Sequence, residues 1–252
     1  MFKYFALFLV GHMLGDYYLQ SDKLAKRKNS SLIGLMQHSV IYAITMMAVI
    51  IPVLSPGALV SAAALSVAHF ALDFIKTAYI RRKSKQAPWR LQDEGWLLYL
   101  MDQGAHIACM LAAAFILSAN GAAPKALAFA ADFFRIVGIS AFTCLKWFAV
   151  LLFIWKPANV TIKRVLSRYK PEEALEPGTG VRQAGALIGL LERLIMVIFL
   201  SINQYAAIGL VLTAKSIARY DRICKEKDFA EYYLLGTLLS ALLSILAYIL
   251  IF

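Results

Sequence analysis

The sequence predicts an all-α fold, a polytopic helical membrane protein with about seven transmembrane helices, six to eight at the bounds. Three observations carry that reading. The 252-residue chain is 61% hydrophobic, with a mean hydropathy of +0.67. Only 16% of its residues are charged, where soluble globular domains carry about 25%. Apolar runs recur that reach the ~20 residues a helix needs to cross a bilayer. The short alternating segments of a membrane β-barrel are absent.

The spans follow in order. Span 1 covers about Tyr4 to Gln20 and reads as a span rather than a cleavable signal, because it lacks a small-residue cleavage site. A basic loop with Lys23, Lys26, Arg27 and Lys28 follows. Ser30 or Ser31 is placed to cap span 2, about Leu32 to Leu54. The uncharged turn from Pro52 to Gly57 leads to span 3, about Leu59 to Ile80, which ends in Arg81, Arg82, Lys83, Lys85 and Arg90. Asp93 and Glu94 favour a helix start before span 4, about Trp96 to Leu117. The loop at Asn120-Gly121 carries one lysine, Lys125. Beyond it, Ala126 to Trp155 reads as a short amphipathic helix followed by a span from about Val137.

A polar segment, Lys156 to Arg182, with Pro171, Pro177 and Gly178, is the linker candidate. Ala184 to Thr213 is apolar apart from Glu192, Arg193, Asn203 and Gln204. A single crossing there would put the basic stretch after it on the wrong side. Two alternatives stay open: a tight hairpin turning near Ser201 to Gln204, or an interfacial stretch from Gly185 to Arg193. The last span is about Tyr233 to Phe252. The expected domains are residues 1–120 (a four-helix membrane domain), 121–182 (amphipathic helix, span and cytoplasmic linker) and 183–252 (C-terminal membrane helices).

The formal net charge is +11. Lys and Arg sit mostly in short loops, as the positive-inside rule expects, so the charge points to membrane orientation and lipid partners, with no nucleic acid. The loops after spans 1 and 3 are the basic ones, which places them in the cytoplasm and the N-terminus outside. Cys109, Cys144 and Cys224 have no metal or redox spacing. Trp89, Trp96 and Trp155 near span ends read as an interfacial belt, and Glu192-Arg193 with Lys215 and Arg219 as contacts to lipid phosphate or as ordinary positive-inside anchors.

The chemistry lies in the first half. All four histidines fall in the first 106 residues, and three of them stand four residues from an aspartate: His12 with Asp16, His69 with Asp73, and Asp102 with His106. Four residues is about one helical turn, so each pair shares a face. The order is reversed in span 4, which runs opposite to spans 1 and 3. Counting from the span ends puts the three aspartates in one layer, roughly 10 Å deep, and their histidines in another, roughly 16 Å deep. His38 lies level with the aspartates, and Gln20, Gln37, Lys76 and Gln103 are placed to support the cluster. Three unpaired aspartates at that depth would cost roughly 8–10 kcal/mol. They must therefore be paired, metal-bound, protonated or wet.

Three uses fit this pattern. Imidazole and carboxylate together suit a divalent metal, zinc first, with manganese or iron as alternatives. The expected ligands are His12, Asp16, His38, His69, Asp73, Asp102 and His106, with one of the three aspartates as general base of a metal-dependent hydrolase acting on a lipid or membrane-embedded substrate. The same residues suit a cation or proton-coupled transporter or channel. They also suit a His–Asp hydrogen-bond network that only holds helices together. Oligomeric state is not legible.

The stretch from Gly11 to Gln20, with Gln37-His38, His69-x-x-x-Asp73-x-x-Lys76 and Asp102-Gln-x-x-His106, resembles the bacterial membrane family known as domain of unknown function 3307. The resemblance covers about the first 120 residues. Leu191-Glu-Arg193, Ala206-Ala-Ile-Gly209 and Ala214-Lys-Ser216 are similar to its longer members. It implies a multi-pass protein of the bacterial inner (cytoplasmic) membrane and supplies no activity. A looser likeness in composition links the chain to membrane-bound metal-dependent hydrolases, as analogy.

Overall fold

The computed structural model describes residues 1–86, 88–121, 127–169 and 184–252, without the side chains of 85–94 and 184. Every regular element among them is helical. Two compact units divide inside one long helix, Met1–Leu152 and Phe153–Phe252.

In the first unit α1 (Phe2–Met13) runs directly into a π-helical turn, Leu14–Tyr18. α2 (Asp22–Ser30) begins at Ser21, whose side chain accepts from the Leu24 amide. The expected basic loop is thus a short helix, because the serine supplies the cap and Asp22 the first-turn acid. α3 (Leu32–Ile50) starts from the extended Ser31, whose hydroxyl accepts from the Gly34 amide at 3.0 Å. A 3₁₀ turn, Ile51–Val53, extends it. α4 spans Pro56–Gln86 and α5 Pro88–Ala119. α5 therefore begins before Asp93 and Glu94, at a proline, which suits the first turn. Trp89, Asp93, Glu94, Lys85 and Arg90 have side chains outside the described set, and Lys125 lies outside the described residues.

The amphipathic helix forms as expected: α6 (Ala128–Val137) ends at Gly138, in the left-handed conformation, and α7 (Ala141–Leu166) follows. α7 continues through Lys156 and Pro157, and a 3₁₀ turn reaches Tyr169. The expected linker is helical over its first part, since isolated charges do not end a helix. Residues 170–182 of it lie outside the described residues.

In the second unit α8 (Ala184–Ser201) and α9 (Tyr205–Ile217) are joined by a turn in which Asn203 takes φ 57°. Asparagine tolerates that left-handed conformation. The helix break falls at Ser201–Gln204, the turn of the hairpin alternative. α10 (Tyr220–Lys225) and α11 (Lys227–Ile251) complete the chain. Met196, Leu200, Ile208 and Ala241 pack this unit's apolar core.

Among the described residues, five helical segments are long and apolar enough to cross a membrane: Leu32–Val53, Pro56–Ser84, Gly95–Ala119, Ala141–Tyr169 and Lys227–Ile251. Their outer faces carry exposed apolar side chains such as Val60, Val67, Ile75, Met101, Phe115 and Leu250. Contiguous exposed apolar surface of this kind belongs in lipid. By length and composition these five segments mark a membrane protein, and among the described residues they do not reach the expected count of about seven.

In the first unit α1 packs on α3 and α5, α3 on α4, and α4 on α5. One end of this bundle is an apolar layer of Tyr4, Phe8, Met46, Ile50, Ala62, Met110 and Ala114. The other end, toward α2, carries the polar residues.

Candidate metal centre

Gly11 on α1 and Gly15 in the π-turn let this segment approach α3 closely. A Cβ at Gly11 would lie 2.9 Å from Met46 Sδ, and one at Gly15 2.8 Å from Tyr42 Cδ2. The π-turn is closed by the Leu19 amide on the Leu14 carbonyl at 2.8 Å. Such turns widen the helix by one residue and re-aim its side chains. Here the turn carries Asp16 to His38 of α3, with Oδ1 3.2 Å from Nε2.

Four donor atoms converge: Asp16 Oδ1, His38 Nε2, His69 Nε2 and Asp73 Oδ2, all within 4.8 Å of one another. His38 and His69 stand 3.0 Å apart through their Nε2 atoms. Asp73 Oδ2 is 3.4 Å from His38 Nε2 and 3.2 Å from His69 Nε2. For a zinc ion held at about 2.0–2.2 Å by four ligands, the edge of the ligand tetrahedron is about 3.3–3.6 Å. His38, His69 and Asp73 therefore form a complete triangular face within a few tenths of an ångström of that size, and Asp16 adds one further edge. Two imidazole nitrogens at 3.0 Å cannot both present lone pairs unless a proton or cation lies between them. Asp16 Oδ1 and both Asp73 oxygens are buried with no aligned hydrogen-bond donor, so ion pairing alone compensates them.

Two lysines meet the same carboxylates. Lys28 Nζ is 2.7 Å from Asp73 Oδ2 and 3.6 Å from Asp16 Oδ1. Lys76 Nζ is 3.0 Å from Asp73 Oδ1 and 2.7 Å from Asp102 Oδ2. With three carboxylates against two ammonium groups, and neutral imidazoles, the cluster carries one uncompensated negative charge. A single proton or a displacing cation balances it.

The remaining predicted residues lie beside this group. His12 is 2% and His106 3% exposed, and their rings stack with centroids 5.1 Å apart. Gln103 donates its amide N–H to Asp16 Oδ2 and Asp102 Oδ2, each at 3.2 Å. Carboxylates only accept, so the amide orientation is fixed, and Oε1 accepts from Tyr17 at 2.8 Å and from His12 Nε2 at 3.1 Å. His12 Nδ1 is then left to accept from Tyr42 at 3.3 Å. Both nitrogens of His12 are engaged, which makes it a support of Asp16 rather than a member of the four-atom group. His106 donates Nδ1–H to the Asp102 carbonyl at 2.8 Å, so its buried Nε2 holds a lone pair without a hydrogen-bond partner. Asp102 is engaged by Lys76 and Gln103. Gln37 is exposed on the outer side of α3 and Gln20 is half-buried beyond the π-turn. Neither joins the four-atom group. In the second unit Lys215 pairs with Glu192 at 2.7 Å, and Arg219 is exposed.

Sequence reasoning passed over two groups. Lys28 was assigned to positive-inside anchoring, yet it is 5% exposed and points inward. The available signal was Ser21, which makes the basic run a helix with one face toward α3. Tyr42 lies face-on against His69, centroids 3.6 Å apart at 2°. A lone tyrosine in an apolar span gives no such signal.

Residues 4–133, just over half the chain and all of this centre, match the family described as protein of unknown function (DUF3307), and the chain belongs to that family. No curated protein and no solved structure matches it.

Proposed function

We propose that this chain is a multi-pass membrane protein that binds one divalent cation in its first unit and uses it to activate water, as a metal-dependent hydrolase acting on a lipid or another membrane-embedded substrate. The observation that supports it most is the triangle of His38 Nε2, His69 Nε2 and Asp73 Oδ2, with edges of 3.0, 3.4 and 3.2 Å. Catalytic zinc sites take three protein ligands and keep the fourth position for water. His38, His69 and Asp73 supply the three. Asp16, which meets the triangle by one edge, is the general base beside the fourth position. Two nitrogens and a carboxylate suit zinc first, and also iron or manganese. Lys28 must leave Asp73 for the ion to bind, since both need the same oxygen.

In this reading α1 with its π-turn, and the α8–α9 hairpin, add to the five long spans to approach seven. The basic ends of α2 and α4 face the cytoplasm, with lipid phosphate at Lys215 and Arg219 and a bacterial inner membrane as the setting.

Lys28 and Lys76 favour a second reading. Ammonium groups that hold the carboxylates in place of an ion are what a cation or proton-coupled transporter would exchange for its cargo. The two separate experimentally. The hydrolase releases product from vesicle lipids in the presence of zinc, and both the metal and the activity are lost in His69→Ala. Active protein that stays free of metal excludes it. The transporter moves ions into liposomes and stops in Asp73→Asn. Loss of stability in both variants with neither activity in the wild type leaves a structural His–Asp network.

A further inference from the structure

The second unit contains a buried cation that the metal centre does not use. Arg193 sits in the middle of α8 and is only 2% exposed. Its Nε donates to the Ile154 carbonyl of α7 at 2.6 Å, and its Nη1 to Ser240 Oγ of α11 at 3.3 Å. Nη2 is buried with no hydrogen-bond partner. The neighbouring acid does not compensate it: Glu192 is held by Lys215 at 2.7 Å, so those two charges cancel and Arg193 leaves one positive charge over. Leaving a charged donor buried and unpaired is among the costliest arrangements a helix bundle can hold.

The surroundings supply donors. Tyr233, Thr237, Ser240 and Ser244 recur every three or four residues along one face of α11, which packs on α8. Ser240 touches the guanidinium, and Ser244 donates back to the Ser240 carbonyl at 3.0 Å. The hydroxyls of Tyr233 and Thr237 are buried beside one another without an aligned hydrogen bond, and Ser216 also reaches Tyr233. Lys215 lies over the Tyr233 ring, 5.3 Å from its centroid. Gly189, one turn before Arg193, leaves the guanidinium room to lie along α8, since a Cβ there would come within 3.2 Å of Nη1. Both N–H groups of Nη2 therefore lack an acceptor, beside hydroxyls free to turn toward one, in a region with one excess positive charge.

We propose that Arg193, with Thr237 and Tyr233, forms a binding site for a compact oxyanion, a carboxylate or a phosphodiester, within the second unit. The guanidinium supplies the charge and the fork of donors, and the α11 hydroxyls complete the shell. Arg193 stands about 13 Å from either end of α8. A soluble carboxylate would enter between the helices, whereas a lipid phosphodiester would have to be drawn below the headgroup layer.

The test is thermal unfolding of the full-length protein in detergent, titrated with sodium acetate and with inorganic phosphate at constant ionic strength. A parallel arm compares lipid nanodiscs of phosphatidylglycerol with phosphatidylcholine. The expected result is a saturable rise of about 2–4 °C in one arm. Acetate or phosphate acting alone identifies a soluble anion, and phosphatidylglycerol acting alone a lipid phosphodiester. Arg193→Gln removes the rise. Should that variant fail to fold, Thr237→Val and Tyr233→Phe keep the arginine and its bond to Ile154, and each weakens the apparent affinity at least about fivefold. No saturable rise in any arm, or a rise unchanged in the variants, overturns the site. None of these readouts depends on the metal centre.

Discussion

Asp73 is where the competing interactions of the first unit meet. Two histidines and two lysines approach its two oxygens within 2.7–3.4 Å. Removing Lys28 has opposite effects on the two states of the site. In metal-free protein Lys28→Met leaves Asp73 less compensated and lowers stability, by about 3–5 kcal/mol if the pair behaves as other buried pairs do. In the presence of zinc the competitor is gone, and the ion binds about tenfold more tightly, about 1.4 kcal/mol. Unfolding measured with and without zinc checks both signs. A variant destabilised equally in both conditions would mean that Lys28 and the ion do not share Asp73. The histidine and aspartate positions were legible because ionisable groups in apolar spans are few and their spacing reports the shared face. Lys28 was not, because a lysine between two spans satisfies the positive-inside pattern whether it faces water or the bundle.

Helix α2 and the corner into α3 hold Lys28 in place. Gly34 lies against the Arg27 carbonyl with no space for a Cβ. Gly34→Ala forces the corner apart, with a cost of about 1–3 kcal/mol typical of overpacking. It also draws Lys28 away from Asp73. Ser31→Ala removes the α3 cap and costs about 1 kcal/mol without moving the corner. Comparing the two in zinc titrations separates lost stability from a displaced lysine: Gly34→Ala changes affinity and Ser31→Ala does not. At this scale the long apolar helices α3, α4 and α5 could be read from composition. The π-turn could not, because it arises from the close packing of Gly11 and Gly15 on α3, which no local pattern encodes. The Ser201–Gln204 turn was one of two open alternatives, and the αL conformation of Asn203 gives its physical basis.

For the whole molecule, the layered depth count implies that the ends of α2 and α4 lie on one side of the membrane and the α3–α4 turn on the other. Cysteines introduced at Lys26 and Arg82 into a chain lacking Cys109, Cys144 and Cys224 should react with an impermeant reagent from the same side. One at Ser55 should react from the opposite side. Labelling of Lys26→Cys and Ser55→Cys from one side contradicts the span assignment of α3. The depth count brought seven residues to one region, and the structure sorts them into a four-atom group and a supporting set. That sorting depended on which nitrogen of each histidine is already engaged, as at His12 and His106, and spacing carries no information on it.

The central claim is that His38, His69 and Asp73, with Asp16 beside them, hold a divalent cation. Elemental analysis of the purified full-length protein, after equilibration with zinc and removal of free ion, tests it most directly. About one equivalent per chain is expected for the wild type, with loss of that equivalent in folded His69→Ala. Wild-type protein that retains no zinc, manganese or iron under these conditions, or a His69→Ala variant that retains a full equivalent, would contradict it.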